Sequence, residues 1–230
     1  GIRDTSVTGV QTCALPISES PPINDTYKII SGVANRKTDQ TIAALRLDVL
    51  RHKTFADSLS HADSGNFVLT EINLRIVDEK GSPTREASEV ISSSEASFEQ
   101  GSLVIEASYD GDPKSGWAVY EGGRVSKDHA ALYRFDPPLK LRPTERLEIT
   151  LSHDSVHEKH NIGRFLLSST TDPSLELGNS NSDLLLALKT EPTARSKEQL
   201  DLIQASHRNG DQRYQSLIDQ VKELDKKLKQ

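Results

Sequence analysis

The feature that most constrains this chain is the run Asn66 to Val77, which reads NFVLTEINLRIV. Val68, Thr70, Ile72, Leu74 and Ile76 recur at every second position. An extended backbone sets them all on one face, whereas a helix would scatter them around its axis. Thr41 to Leu50 repeats the device, with Leu45, Leu47 and Val49 on one face and Arg46 and Asp48 on the other, as in a half-buried strand. Shorter strand candidates follow at Leu103–Ala107, Trp117–Tyr120, His129–Phe135, Leu147–Leu151 and Ile162–Ser169. Each is bounded by Gly, Pro, Asp or Asn, the residues that turn chemistry requires. Between the candidates lie an opening loop at Ser18–Thr26, a polar loop over 51–65, a turn at Asp78–Thr84 and a Ser/Glu-rich stretch, Glu86–Ser97, that fits neither period. About seven or eight strands without helices between them predict a mainly β chain, an antiparallel β-sandwich and most naturally a jelly roll.

The pattern changes after Asp172-Pro173. Ser182 to Leu188 reads as a short helix, and Ser196-Lys-Glu-Gln199 has the capping-box spacing that opens a second, running to about His207. Asn209-Gly210 ends it and Asp211 caps a third, in which Tyr214, Leu217, Ile218, Val221, Leu224 and Leu228 form one apolar stripe. That stripe reads either as a coiled-coil face or as a packing surface against a neighbouring domain. The expected organisation is a β-sandwich module over 18–175 followed by an α-helical hairpin over 176–230 that leads into a further domain.

Composition narrows the function classes. The net charge of −6 and a pI near 5.7 oppose general nucleic-acid binding, which rests on basic patches. No apolar run approaches the roughly 18 residues of a membrane span. The single cysteine, Cys13, makes no internal disulfide, no Cys-based zinc site and no C-x-x-C-H haem attachment. It also lies in an unusual place. Gly1 to Ile17, GIRDTSVTGVQTCALPI, resembles the translation of an Illumina-type sequencing-library adapter, with Thr5-Ser6 at the variable index. Such a segment is set aside from fold reasoning and expected to be disordered. The chain has no methionine and its last helical pattern runs to Gln230, so an internal fragment of a longer protein is expected.

Three stretches carry a resemblance: Asn66-Phe-Val-Leu-Thr-Glu-Ile, Asp110-Gly-Asp-Pro-Lys-Ser-Gly-Trp117 and His160-Asn-Ile-Gly-Arg-Phe-Leu-Leu-Ser168. In this order and spacing they resemble the central region of planctomycete-type cytochrome c domain-containing proteins, and the S-K-E-Q-L opening of the tail is similar to the segment that follows there. The resemblance implies an insert between two domains of unknown function in a large exported protein, periplasmic or at the cell surface. Its haem c would belong to an upstream part, and no cofactor of that kind to this chain. The loop after Leu50 departs from that pattern by being shorter and poor in glycine. The second stretch also resembles the D-G-D-x-x-T-x-W signature of discoidin-like, galactose-binding-like sandwiches, with Ser115-Gly116 in place of the Thr-x pair. That resemblance implies a structural calcium and glycan binding.

Each candidate admits two readings. Asp110 and Asp112 supply hard oxygen ligands suited to calcium, or they cap N–H groups in an Asp-Gly turn. Trp117 is a stacking platform for a sugar or, followed by Ala118-Val119, a core residue. Asn66 and Arg164, inside the resembling stretches, complete the ligand-binding candidates. His153, His157 and His160 have a metal-like spacing in HDSVHEKH, yet the surroundings read as a loop. Glu71 is the likeliest inward-facing acid for glycoside chemistry, or it projects to solvent or pairs with Arg75. No G-x-S-x-G, H-E-x-x-H or glycine-rich phosphate loop is present. The expected function is a non-catalytic accessory module that binds polysaccharide or docks neighbouring domains. The alternatives are a jelly-roll carbohydrate-active enzyme and a purely structural spacer.

Overall fold

A computed structural model describes residues 12–13, 22–31, 37–87, 90–178 and 195–210. The chain divides into two units, Gly1–Leu177 and Gly178–Gln230. The first is mainly β and antiparallel. Its strands are β1 (Thr12–Cys13), β2 (Thr26–Ile30), β3 (Gln40–Val49), β4 (Val68–Leu69), β5 (Glu71–Val77), β6 (Pro83–Glu86), β7 (Ile91–Ala96), β8 (Trp117–Ala118), β9 (His129–Leu141), β10 (Arg146–Ser152) and β11 (Phe165–Thr170). They form a five-stranded sheet in the order β1-β11-β3-β9-β7, a four-stranded sheet β2-β10-β5-β6 and a small pair β4-β8. Of the segment 1–17, expected to be without structure, Thr12 and Cys13 are described, and they pair with Leu167 and Leu166.

The period-two runs place their apolar residues as their spacing dictates. Leu45, Leu47 and Val49 from β3 and Ile72, Leu74 and Ile76 from β5 enter one hydrophobic core with Leu147, Ile149 and Leu151 of β10. Four expectations need correction. The long run 66–77 is two strands: Thr70 donates its N–H to Ser152 O at 2.9 Å, so β4 pairs with β8 while β5 continues against β10. The strand β3 is buried on both faces. Asp48 is 6% exposed because Arg46 binds it at 2.8 Å and also donates to Leu177 O at 3.0 Å, under a small cluster of Ala44, Ala130, Leu132 and Leu177. The segment 51–65 is more than a polar loop, since Phe55, Leu59 and Ala62 are buried along it. Leu103–Ala107 is not a strand, and a short 3-10 helix covers Ile105–Ser108 instead.

The edge strands β2, β6 and β7 are the ones that alternation misses. None of their residues is fully buried, so burial leaves little periodic mark on the sequence.

In the second unit the described helix, α1, spans Lys197–Gly210. Its start is a capping box in both directions: Gln199 N–H donates to Ser196 Oγ at 3.3 Å and Ser196 N–H to Gln199 Oε1 at 3.0 Å. Ser182–Leu188 and the stripe Tyr214–Leu228 lie outside the described residues. Among the described residues no helix is long and apolar enough to cross a membrane.

Candidate functional site

The three resembling stretches, distant in sequence, are brought together. Leu69 pairs with Trp117, and Val68 N–H donates to His160 O at 2.9 Å. Gly116 makes the first contact possible. A Cβ there would lie 2.6 Å from Leu69 O and 2.9 Å from Thr70 Cα at φ +150, so only glycine lets the backbones approach. In the third stretch Gly163 makes room for a side chain from outside the three, since a Cβ there would meet the Phe55 ring at 2.4 Å.

The candidates in the Asp110–Trp117 loop serve structure. Asp110 Oδ1 accepts the Asp112 N–H at 2.8 Å, and Asp112 Oδ1 accepts the Lys114 N–H at 2.9 Å. Ser115 Oγ stands 2.9 Å from each Asp110 carboxylate oxygen. These are consecutive Asx turns, which account for both aspartates. Among the described residues no group of three or more His, Cys, Asp or Glu could hold a metal ion. Trp117 is fully buried, edge-on to Phe67 at 4.9 Å, with Nε1–H on Phe98 O at 2.9 Å. It presents no ring face to solvent, so the sugar-platform reading is corrected to the core reading.

Glu71 neither projects freely nor pairs with Arg75, which binds Glu86 at 3.1 Å. It opens β5 half-buried beside the aspartate loop. Burial raises its carboxyl above the usual range, and the Asp110 and Asp112 charges add to this, while the Gly111 N–H opposes it.

The histidines separate. His153 is 1% exposed beneath the opening segment. Asp25 O accepts from its backbone N–H at 3.0 Å and from Nδ1 at 3.1 Å, and the Tyr27 ring lies 5.0 Å away. A carbonyl only accepts, so Nδ1 carries the proton and Nε2 is a lone-pair nitrogen. That nitrogen is buried without a partner. Burial pushes the imidazole down to about 4. His157 and His160 instead face each other with ring centroids 5.3 Å apart. The three do not form one metal set.

His157 and His160 line a recess of about 200 Å³ with Asn66, Gln100, Tyr120 and Leu103. Asn66, 4% exposed, fixes its walls: Oδ1 accepts the Val119 N–H at 3.0 Å and Nδ2 donates to Gln100 Oε1 at 3.0 Å. Gln100 Oε1 also accepts the Tyr120 N–H at 3.1 Å. His160 Nδ1 donates to Glu158 O at 2.9 Å, which turns Nε2 toward the Ser64 hydroxyl at 3.4 Å. Arg164 stands apart at the entrance to β11, half-buried, its carbonyl accepting the Leu50 N–H at 2.9 Å. Tyr120, Gln100 and Ser64 escaped the sequence reading because nothing in their local pattern distinguishes a lining side chain from a solvated one.

No protein-family model, no curated protein and no solved structure matches the chain.

Proposed function

We propose that residues 18–175 form a non-catalytic accessory module that recognises carbohydrate by shape and hydrogen bonding. In this reading the module is a β-sandwich of the jelly-roll, galactose-binding-like kind. It is an insert in an exported cytochrome c domain-containing protein, and its helical tail docks the neighbouring domain. Haem would belong to another part of that protein.

The observation that supports recognition over chemistry is the way polar groups are used. Asp110, Asp112, Ser115 and Asn66 are committed to turns and to the walls of one recess, so the most motif-like residues act on the backbone. A recess held by such bonds keeps its shape before a ligand arrives, which lowers the ordering cost of binding.

The test is co-sedimentation of the full chain with a panel of insoluble polysaccharides, with a reducing-end assay on the same mixtures. Retention without release of reducing ends is the expected result. Release would favour the jelly-roll enzyme, and neither retention nor release would leave only the spacer.

A further inference from the structure

The recess at the meeting of the three stretches holds polar groups that the fold does not use. Gln100 spends its oxygen twice, on Asn66 Nδ2 and on the Tyr120 N–H, and among the described residues its Nε2 makes no hydrogen bond. The Tyr120 hydroxyl and both ring nitrogens of His157 are likewise without partners among the described residues. Tyr120 is 37% exposed, although it follows three residues that are fully buried, Trp117, Ala118 and Val119. A surface aromatic ring beside an amide and an imidazole that the fold leaves unpaired is a pairing of apolar body and polar rim that suits an amphipathic ligand.

The lining also selects the kind of ligand. No Asp, Glu, Lys or Arg lines the recess, so apart from two histidines it offers no counter-charge to an ion. Its accessible surface is mostly apolar, with Tyr120, Leu103 and Val68 along it, and an amide and two imidazoles stand among its lining residues. Its volume of about 200 Å³ is many times the roughly 10–15 Å³ that one water needs on the same measure, enough for a group of about a dozen heavy atoms. A molecule of that size with one apolar face and a rim of neutral hydroxyls is a pyranose.

We infer that this recess binds a single neutral sugar residue of a longer chain, with its apolar face on Tyr120 and its hydroxyls on Gln100 and His157. The inference rests on the proposed carbohydrate-recognising function and adds to it the site and the charge class of the ligand. The anchoring residues lie outside the three resembling stretches except for Asn66 and His160, which hold the walls.

The test uses the full chain, isotope-labelled, titrated into the millimolar range with neutral tetrasaccharides of glucose, mannose, galactose and xylose and with a tetragalacturonate as the charged comparison. At least one neutral tetrasaccharide is expected to shift the amide signals of Gln100, Tyr120, His157 and His160 ahead of all others. Tyr120→Ala should weaken that binding about tenfold, as loss of an aromatic anchor does. Tyr120→Phe, which keeps the ring, should lose less. Both substitutions sit at an exposed position, so the thermal midpoint should stay unchanged; His157→Ala, also exposed, provides a second variant should Tyr120→Ala unfold. Neutral-sugar binding that survives both alanine variants would overturn this site and leave the module reading standing. Equal or tighter binding of the tetragalacturonate would overturn the neutral chemistry. No binding by any of the five would refute the site; retention of an insoluble polysaccharide in the co-sedimentation assay would then leave the carbohydrate reading standing, and no retention would refute that reading as well.

Discussion

His153 makes the fold sensitive to acid in a calculable way. In the unfolded chain its imidazole titrates near the ordinary value of 6.5, and in the fold burial pushes it down to about 4. A folded value below the unfolded one means that the unfolded state takes up the proton first. The stability contribution is therefore whole above about pH 6.5 and is lost as pH falls from there toward 4. With these two values, linkage gives a loss of about 2 kcal/mol at pH 5 and about 3 kcal/mol at pH 4. Against a total of roughly 5–15 kcal/mol for a native domain, that is a large share. Unlike a surface histidine, His153 is 1% exposed, so solvent does little to soften the cost.

The structure says which part gives way. Protonation would put a hydrogen on Nε2, which has no acceptor, beneath a segment held by Asp25 O and by the Tyr27 hydroxyl on Ile162 O at 2.8 Å. Urea denaturation of the wild type and of His153→Asn at pH 7 and pH 5 isolates the effect, because an asparagine amide still donates to Asp25 O but does not titrate. The wild type should lose about 2 kcal/mol more than the variant across that interval. Hydrogen exchange at pH 5 should open β2 first. Equal losses in the two proteins, or a ring titration of His153 centred near 6.5, would refute the reasoning.

Three further outcomes follow from the same geometry. Gly116→Ala should cost about 2–4 kcal/mol in urea, because its Cβ meets backbone at 2.6 Å. Gly111→Ala, with positive φ but nothing within 4 Å, should cost only about 1 kcal/mol, and equal costs would show that the close approach is not what matters. Asn66→Ala should cost about 1–3 kcal/mol by leaving the buried Val119 N–H unpaired, checked by chemical denaturation and by loss of protection at that amide. Calcium chloride and EDTA should leave the thermal midpoint in the same place, since the Asp110 and Asp112 carboxylates already accept N–H groups that fix their own turn; a rise with calcium would show that the loop holds the ion.

What the sequence disclosed follows from where burial is one-sided. The strands β5 and β10 carry alternating apolar residues into the core, and their existence is legible from period alone. The capping box at Ser196 is legible for a different reason, because its two hydrogen bonds are fixed by a four-residue spacing. Arg46 and Asp48 misled because alternation reports polarity rather than exposure, and an ion pair beneath Leu177 allows a polar face to be buried. The segment 51–65 misled for the opposite reason. Ser58 and Ser60 are buried, with the Ser58 hydroxyl donating to Gly65 O at 3.1 Å, so a polar composition hid a packed loop.

The site shows the same division more sharply. The residues that look chemical in sequence are spent on structure: the aspartates on their own turn, and Trp117, Gly116 and Asn66 on bringing neighbouring segments together. Gly116 admits Leu69, Trp117 fills the space behind it, and Asn66 ties Val119 to Gln100. A pattern of this kind specifies a junction between loops, and it would be retained whatever the recess holds. In the proposed reading the ligand is chosen by the side chains that the junction leaves unspent, Tyr120, Gln100 and His157. Exchanging those three should therefore alter what is bound without loosening the fold, while changes within the three stretches should loosen the fold whatever is bound.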